Sequence, residues 1–171
     1  MKARTLVERN RFLCGLFAAG AVFVGSAGLL GSRVVLQVTP SMPRGVYWVE
    51  QSRQIARGDI IVFEAPADAR MLIAARHWWK LSVGYLLMKP VVASKGDRVR
   101  VSAKGLFINS VFFGAVERID TEGLPLPLRE IDRVLSEHEY FTASRYEHSF
   151  DSRYFGIIRR EAIKGVARRV M

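Results

Sequence analysis

The chain has 171 residues, enough for one globular domain with a real core plus a short extra segment. Half of the residues are hydrophobic and a quarter are charged, with no low-complexity run and no internal repeat, which excludes a disordered chain or a repeat array. The net charge of +10 raises nucleic acid or an anionic membrane surface as partners, but no zinc-finger spacing and no aromatic–basic RNA-binding signature accompanies it, so no nucleic-acid partner is expected. The single cysteine, Cys14, rules out an intrachain disulfide and a cysteine metal site.

Part of the basic excess is local. Lys2, Arg4, Arg9, Arg11 and Arg33 flank one apolar run, with Glu8 the acid among them. From Phe12 to Gly31 that run reads FLCGLFAAGAVFVGSAGLLG and carries no charge. As a helix it would span about 30 Å, the thickness of a bilayer core. Basic residues before it place residues 1–11 in the cytoplasm and send residues 33–171 across the membrane. A cleavable secretory signal is the competing reading, because Gly25, Ser26, Ala27 and Gly28 could offer a cleavage site; the length favours an uncleaved single-pass anchor.

From Arg33 onward short β-branched runs appear: VVLQV at 34–38, GVYWV at 45–49, DIIVF at 59–63, LLM at 86–88, Val91-Val92, DRVRV at 97–101 and GLFIN at 105–109. Gly, Asp, Pro and Ser punctuate them, which predicts an antiparallel, mainly β domain. Arg57-Gly58-Asp59 and Lys95-Gly96-Asp97 read as tight turns entering strands. The stretch from Ala67 to Tyr85 mixes Arg70, Arg76, His77 and Lys80 with Met71, Leu72, Ile73, Trp78 and Trp79. Its charges argue against a second span. It reads equally as an interface-seeking amphipathic segment touching membrane lipid and as a helix covering the sheet. GLPLPLREI at 123–131 reads as a loop, and the tail from Arg159 to Met171 as a last strand or short helix.

No metal-binding HExxH, GxSxG elbow, Walker loop or dinucleotide GxGxxG occurs, so no metal and no cofactor is expected. The histidines, His77, His138 and His148, fit no catalytic spacing and read as structural or surface residues. A Ser–Lys pair is the alternative. Lysine serves as a general base when burial lowers its pKa towards neutrality. Lys89 lies among Leu86, Leu87, Met88, Val91 and Val92, an apolar setting of that kind. Taken alone it also reads as the end of an edge strand before Pro90. Ser41 lies in Thr39-Pro40-Ser41-Met42-Pro43, where flanking prolines constrain the backbone and could aim its N–H at an oxyanion. Taken alone this segment also reads as a simple turn.

Together these segments carry a resemblance. TPSMPRGVYWV resembles the nucleophile box of the type I signal peptidases, and more closely that of the TraF peptidases of conjugative transfer, through Thr39, Ser41, Met42, Pro43, Gly45 and Tyr47. ARGDIIVF, LLMKPVVASKGDRV, GLPLP and SFDSRYFG resemble further boxes in the family's order, covering most of the chain after residue 33. The resemblance implies a signal-peptidase-like antiparallel β domain with short helices, behind one transmembrane helix of a bacterial inner membrane, with the catalytic domain in the periplasm. It implies Ser41 as nucleophile, Lys89 as general base and Asp151 as a third participant. Thr39 would assist the oxyanion, Ser149 would orient the lysine, Arg153 would pair with Asp151, and Met42 and Pro43 would contact substrate. The implied activity is serine endopeptidase maturation of a pilin precursor, with head-to-tail cyclisation as one outcome and other conjugation-channel proteins as partners. The alternatives are a general signal peptidase, a non-catalytic membrane-anchored assembly factor and a DNA-binding transfer protein. The sequence departs from the family at Pro90, where Arg is common, at Lys95, where Pro is common, and around Ala143-Ser144-Arg145, where Gly-Asp-Asn is common.

Overall fold

The computed structural model describes residues 33–51, 54–78 and 85–171. The segment expected to cross the membrane, 12–31, lies outside them. Among the described residues no helix is long and apolar enough to span a bilayer.

In chain order the elements are β1 (Val34–Gln37), β2 (Gly45–Glu50), β3 (Ile60–Glu64), α1 (Ala67–Ala75), β4 (Leu86–Ala93), β5 (Arg98–Ser102), β6 (Gly105–Ile108), β7 (Val111–Gly114), β8 (Ile131–Val134), β9 (Glu139–Thr142), α2 (Ser152–Phe155), β10 (Ile158–Arg159) and β11 (Ile163–Arg169). Leu36 opens a compact unit that runs to Met171. The seven-stranded sheet has the order β1-β2-β11-β3-β4-β9-β10, and a four-stranded sheet has β7-β6-β5-β8. The mainly β, antiparallel class expected from the strand runs is what forms. The C-terminal strand β11 lies inside the larger sheet, between β2 and β3, so the end of the chain closes the sheet its first half began.

Both Gly-Asp turns form as expected. In each, the Asp carboxylate accepts a backbone N–H three residues back, Ala56 for Asp59 and Ser94 for Asp97. Gly58 and Gly96 supply the positive φ, at 98° and 87°. Gly45 answers a different need. Val46 N–H donates to Met171 O, and a Cβ at position 45 would come within 2.0 Å of that oxygen.

The two apolar runs at 86–88 and 91–92 join into one strand through Lys89-Pro90, so Lys89 does not end an edge strand. β4 pairs with β3 on one side and β9 on the other. Pro90 lies opposite Ile60 of β3 and just past the end of β9, where its carbonyl accepts the Ala143 N–H at 3.2 Å and it has no N–H to return, so the proline sits at the end of that ladder. Val91 turns both its polar groups to the β3 side, towards Asp59 O and Gly58 N, and it pairs with Thr142 of β9 before a register shift to Ala93 and Phe141.

Two cores result. Ile61, Phe63, Leu87, Val91, Ile158 and Val166 form one, with Ala69 and Ile73 of α1. Val99, Val101, Leu106, Ile108, Phe141 and Tyr154 form the other beneath the small sheet, and Phe150 packs against both. In the described part of the 67–85 stretch a helix packs on the core through Ala69 and Ile73, both buried, with Met71 68% exposed on its outer side. Trp78 packs edge-on to Phe150, at 5.1 Å between centroids.

Candidate active site

Lys89 is placed by strand alternation. It shares a face of β4 with Leu87 and Val91, and its cross-strand partner is Ile61. All three neighbours are buried, and Lys89 itself is 5% exposed. Burial therefore pushes the lysine pKa down from 10.5 to about 8; the Asp151 carboxylate opposes this and the Arg153 guanidinium adds to it. A few per cent or more of the amine is then neutral near pH 7, which an exposed lysine would not allow.

Ser41 sits in the non-strand segment between β1 and β2. Lys89 Nζ is hydrogen-bonded to Ser41 Oγ at 2.8 Å and to Ser149 Oγ at 3.0 Å. Thr39 Oγ1 lies 3.3 Å from Ser41 Oγ. Gln37 Nε2 donates to Thr39 Oγ1 at 2.6 Å and to Thr39 O at 2.9 Å, which leaves the threonine proton free to donate. The hydrogen-bond partners of Ser41 Oγ are thus Lys89 and Thr39, and no histidine is among them. The arrangement meets the geometric requirement for moving a proton from a serine to a neutral amine.

Asp151 is fully buried, and its hydrogen bonds go to Arg153 and Ser144 rather than to Ser41 or Lys89. It caps α2 through the Arg153 N–H and makes a two-pronged pair with the Arg153 guanidinium, both bonds at 2.9 Å. Arg153 also donates to Ala115 O at 2.8 Å and to Ser149 O at 3.2 Å, so the pair ties the Ser149 loop to α2.

A cleft of about 270 Å³ opens on these groups. Thr39, Pro40, Ser41, Lys89 and Ser149 line its floor, with Trp78, Ile119, Leu126, Phe150 and Tyr154 as apolar walls and Glu117, Asp120 and His148 as polar ones. The charge of Asp120 is met by Arg76 at 3.0 Å. Met42 and Pro43, expected to contact substrate, do not line the cleft. Met42 is buried, and the Pro43 carbonyl accepts the Tyr47 hydroxyl at 2.8 Å, a bond that helps hold the loop carrying Ser41. Sequence reasoning missed Gln37, which orients Thr39, and Ser144, whose Oγ donates to the Ser41 carbonyl. Nothing in the local sequence at either position signals such a role.

A cleft in an antiparallel β domain, with a buried lysine against a serine, is an arrangement that peptidase chemistry can use. The chain belongs to the signal peptidase family, peptidase S26, which matches residues 9–171. It is similar to the plasmid transfer protein TraF of Escherichia coli, in one case at 30% identity covering 90% of both chains, in another at 33% covering 90% of this chain and 94% of the relative. It is also similar to the conjugal transfer protein TraF of Agrobacterium tumefaciens, at 33% identity covering 91% and 93%. A solved signal peptidase I of Enterococcus faecalis covers 67% of this chain at 21% identity with a TM-score of 0.39, too distant to add to this. Family membership implies a precursor protein as substrate.

Proposed function

We propose that this protein is a Ser–Lys endopeptidase of conjugative transfer that matures a pilin precursor, held by residues 12–31 in a bacterial inner membrane with its catalytic domain in the periplasm. The observation that carries the chemistry is the buried Lys89 amine 2.8 Å from Ser41 Oγ. Neutral Lys89 takes the Ser41 proton as Oγ attacks the scissile carbonyl. The Ser41 N–H and the Thr39 hydroxyl hold the developing oxyanion. Lys89 returns the proton to the leaving amine, and Ser149 keeps the lysine oriented. The resulting ester on Ser41 passes to water, or to an amine of the substrate to close a ring. The conjugation setting is supported by the relatives, named plasmid or conjugal transfer proteins. The membrane location is supported by the uncharged run at 12–31 and its basic flank.

Mass spectrometry of a pilin precursor co-expressed with this protein tests the reading. Cleavage is expected with the intact protein and absent with Ser41→Ala. Loss of one further water from the cleaved product marks ring closure. A precursor processed equally by Ser41→Ala contradicts the proposal.

A further inference from the structure

All the acceptor positions of Asp151 are occupied inside the fold. Oδ1 takes Arg153 Nε and the Arg153 N–H; Oδ2 takes Arg153 Nη2 at 2.9 Å and the Ser144 N–H at 3.0 Å. This carboxylate has no free path to the Ser41 proton. It does, however, have a path to the Ser41 main chain. Ser144 is 6% exposed, and its Oγ accepts the Tyr146 N–H at 3.0 Å. A hydroxyl has one proton, and that proton goes to the Ser41 carbonyl at 2.5 Å.

The bond matters because of where Ser41 sits. Its segment lies between β1 and β2 and has no sheet ladder to hold it. Side chains from elsewhere fix it: Lys89 at Oγ, the Tyr47 hydroxyl at the Pro43 carbonyl, and Ser144 at the Ser41 carbonyl. Of these, Ser144 alone grips the backbone of the serine itself. A displacement of about 1 Å at a reacting group can cost about 10²-fold in rate.

We propose that Ser144 is a positioning residue for acyl transfer, joining the Asp151–Arg153 pair to the backbone of Ser41. It keeps Oγ within reach of Lys89 and keeps the Ser41 N–H aimed at the oxyanion. Asp151 then acts on the reaction through Ser144 rather than by touching the reacting atoms. This rests on Ser41 being the nucleophile.

The test uses the full chain and a peptide spanning the precursor's cleavage site, with rates normalised to the folded fraction. Ser144→Ala is expected to lower kcat about 10- to 100-fold while KM stays within about threefold and the pH dependence is unmoved, since the burial and the Asp151 and Arg153 charges that set the Lys89 pKa are untouched. Ser144→Thr, which keeps the hydroxyl, is expected to recover most of that loss. A readout independent of activity is the Met42 amide nitrogen, which shares a peptide unit with the Ser41 carbonyl. Its resonance is expected to shift in Ser144→Ala and return in Ser144→Thr. Ser144→Ala with kcat within twofold of wild type overturns the inference. So do equal losses in the Ala and Thr variants, a moved pH profile, or an unshifted Met42 resonance. If Ser41→Ala is inactive and Ser144→Ala is not impaired, only this inference falls. If Ser41→Ala is active, the nucleophile assignment falls and this inference with it.

Discussion

Lys89→Met is expected to abolish cleavage while making the protein harder to unfold at neutral pH. The first effect follows from removing the base. Nothing else bonded to Ser41 Oγ can take its proton, since Thr39 is a hydroxyl. General-base groups contribute about 10²- to 10⁴-fold, and nucleophile–base pairs fail as a unit, so a loss of about 10³-fold or more in kcat is expected. The second effect follows from burial. The folded-state pKa of about 8 lies below the unfolded value of 10.5, so holding the ammonium destabilises the folded state. That cost is fully present below pH 8 and is relieved as pH rises from 8 towards 10.5, where the unfolded chain binds the extra proton. Methionine fills a similar volume without the charge. Allowing for the lost bonds to Ser41 and Ser149, a gain on the order of 1–3 kcal/mol at pH 7 is expected from urea denaturation, shrinking above pH 8. Activity lost together with stability would mean that Lys89 serves the fold instead.

Arg153→Met is expected to cause the largest loss of stability of any single change at the site. Arg153 and Asp151 have side chains 2% and 0% exposed. Removing the guanidinium strands a carboxylate where water does not reach, which costs about 3–5 kcal/mol. The bonds to the Ala115 and Ser149 carbonyls go with it. Domains of this size lose about 2–4 °C of Tm per kcal/mol, so a fall of about 10 °C or more is expected in a thermal melt. Adding Asp151→Asn to Arg153→Met is expected to restore part of the loss, because the stranded charge is gone. A double variant as unstable as the sum of the singles would contradict this account of the pair.

What the sequence shows and what it hides divide along physical lines. The Gly-Asp turns are legible because a glycine at positive φ and an acid that bonds back along the chain are local chemistry. β2, β3 and β5 are legible because they are runs of β-branched and aromatic residues. β8 (IDRV) is not, because three of its four residues are exposed and no alternation marks it. β9 (EYFT) is buried at all four positions, and α2 and β10 span four and two residues, too short for any period to show. Proline at position 90 suggests a strand end, whereas the fold carries β4 through it, at the place where pairing with β9 ends. In the site, the apolar neighbours of Lys89 along the chain fit a depressed pKa but also fit a strand end before Pro90, and it is the ordered boxes that bring Ser41, Lys89, Ser149 and Asp151 together. The route by which Asp151 reaches Ser41 is hidden, because the Ser144–Ser41 bond joins residues 103 apart in the chain. In the sequence the Ala143-Ser144-Arg145 stretch stands out only as a departure from the family.

The claim that neutral Lys89 activates Ser41 is tested most directly by kcat/KM against pH, which reports ionisations of the free enzyme. A single acid limb is expected, falling tenfold per pH unit below a midpoint of about 8 and level above it. A midpoint far below that, in the range where carboxylates and imidazoles ordinarily titrate, would take the base away from Lys89. That result, or a profile flat down to pH 6, would contradict the Ser41–Lys89 assignment.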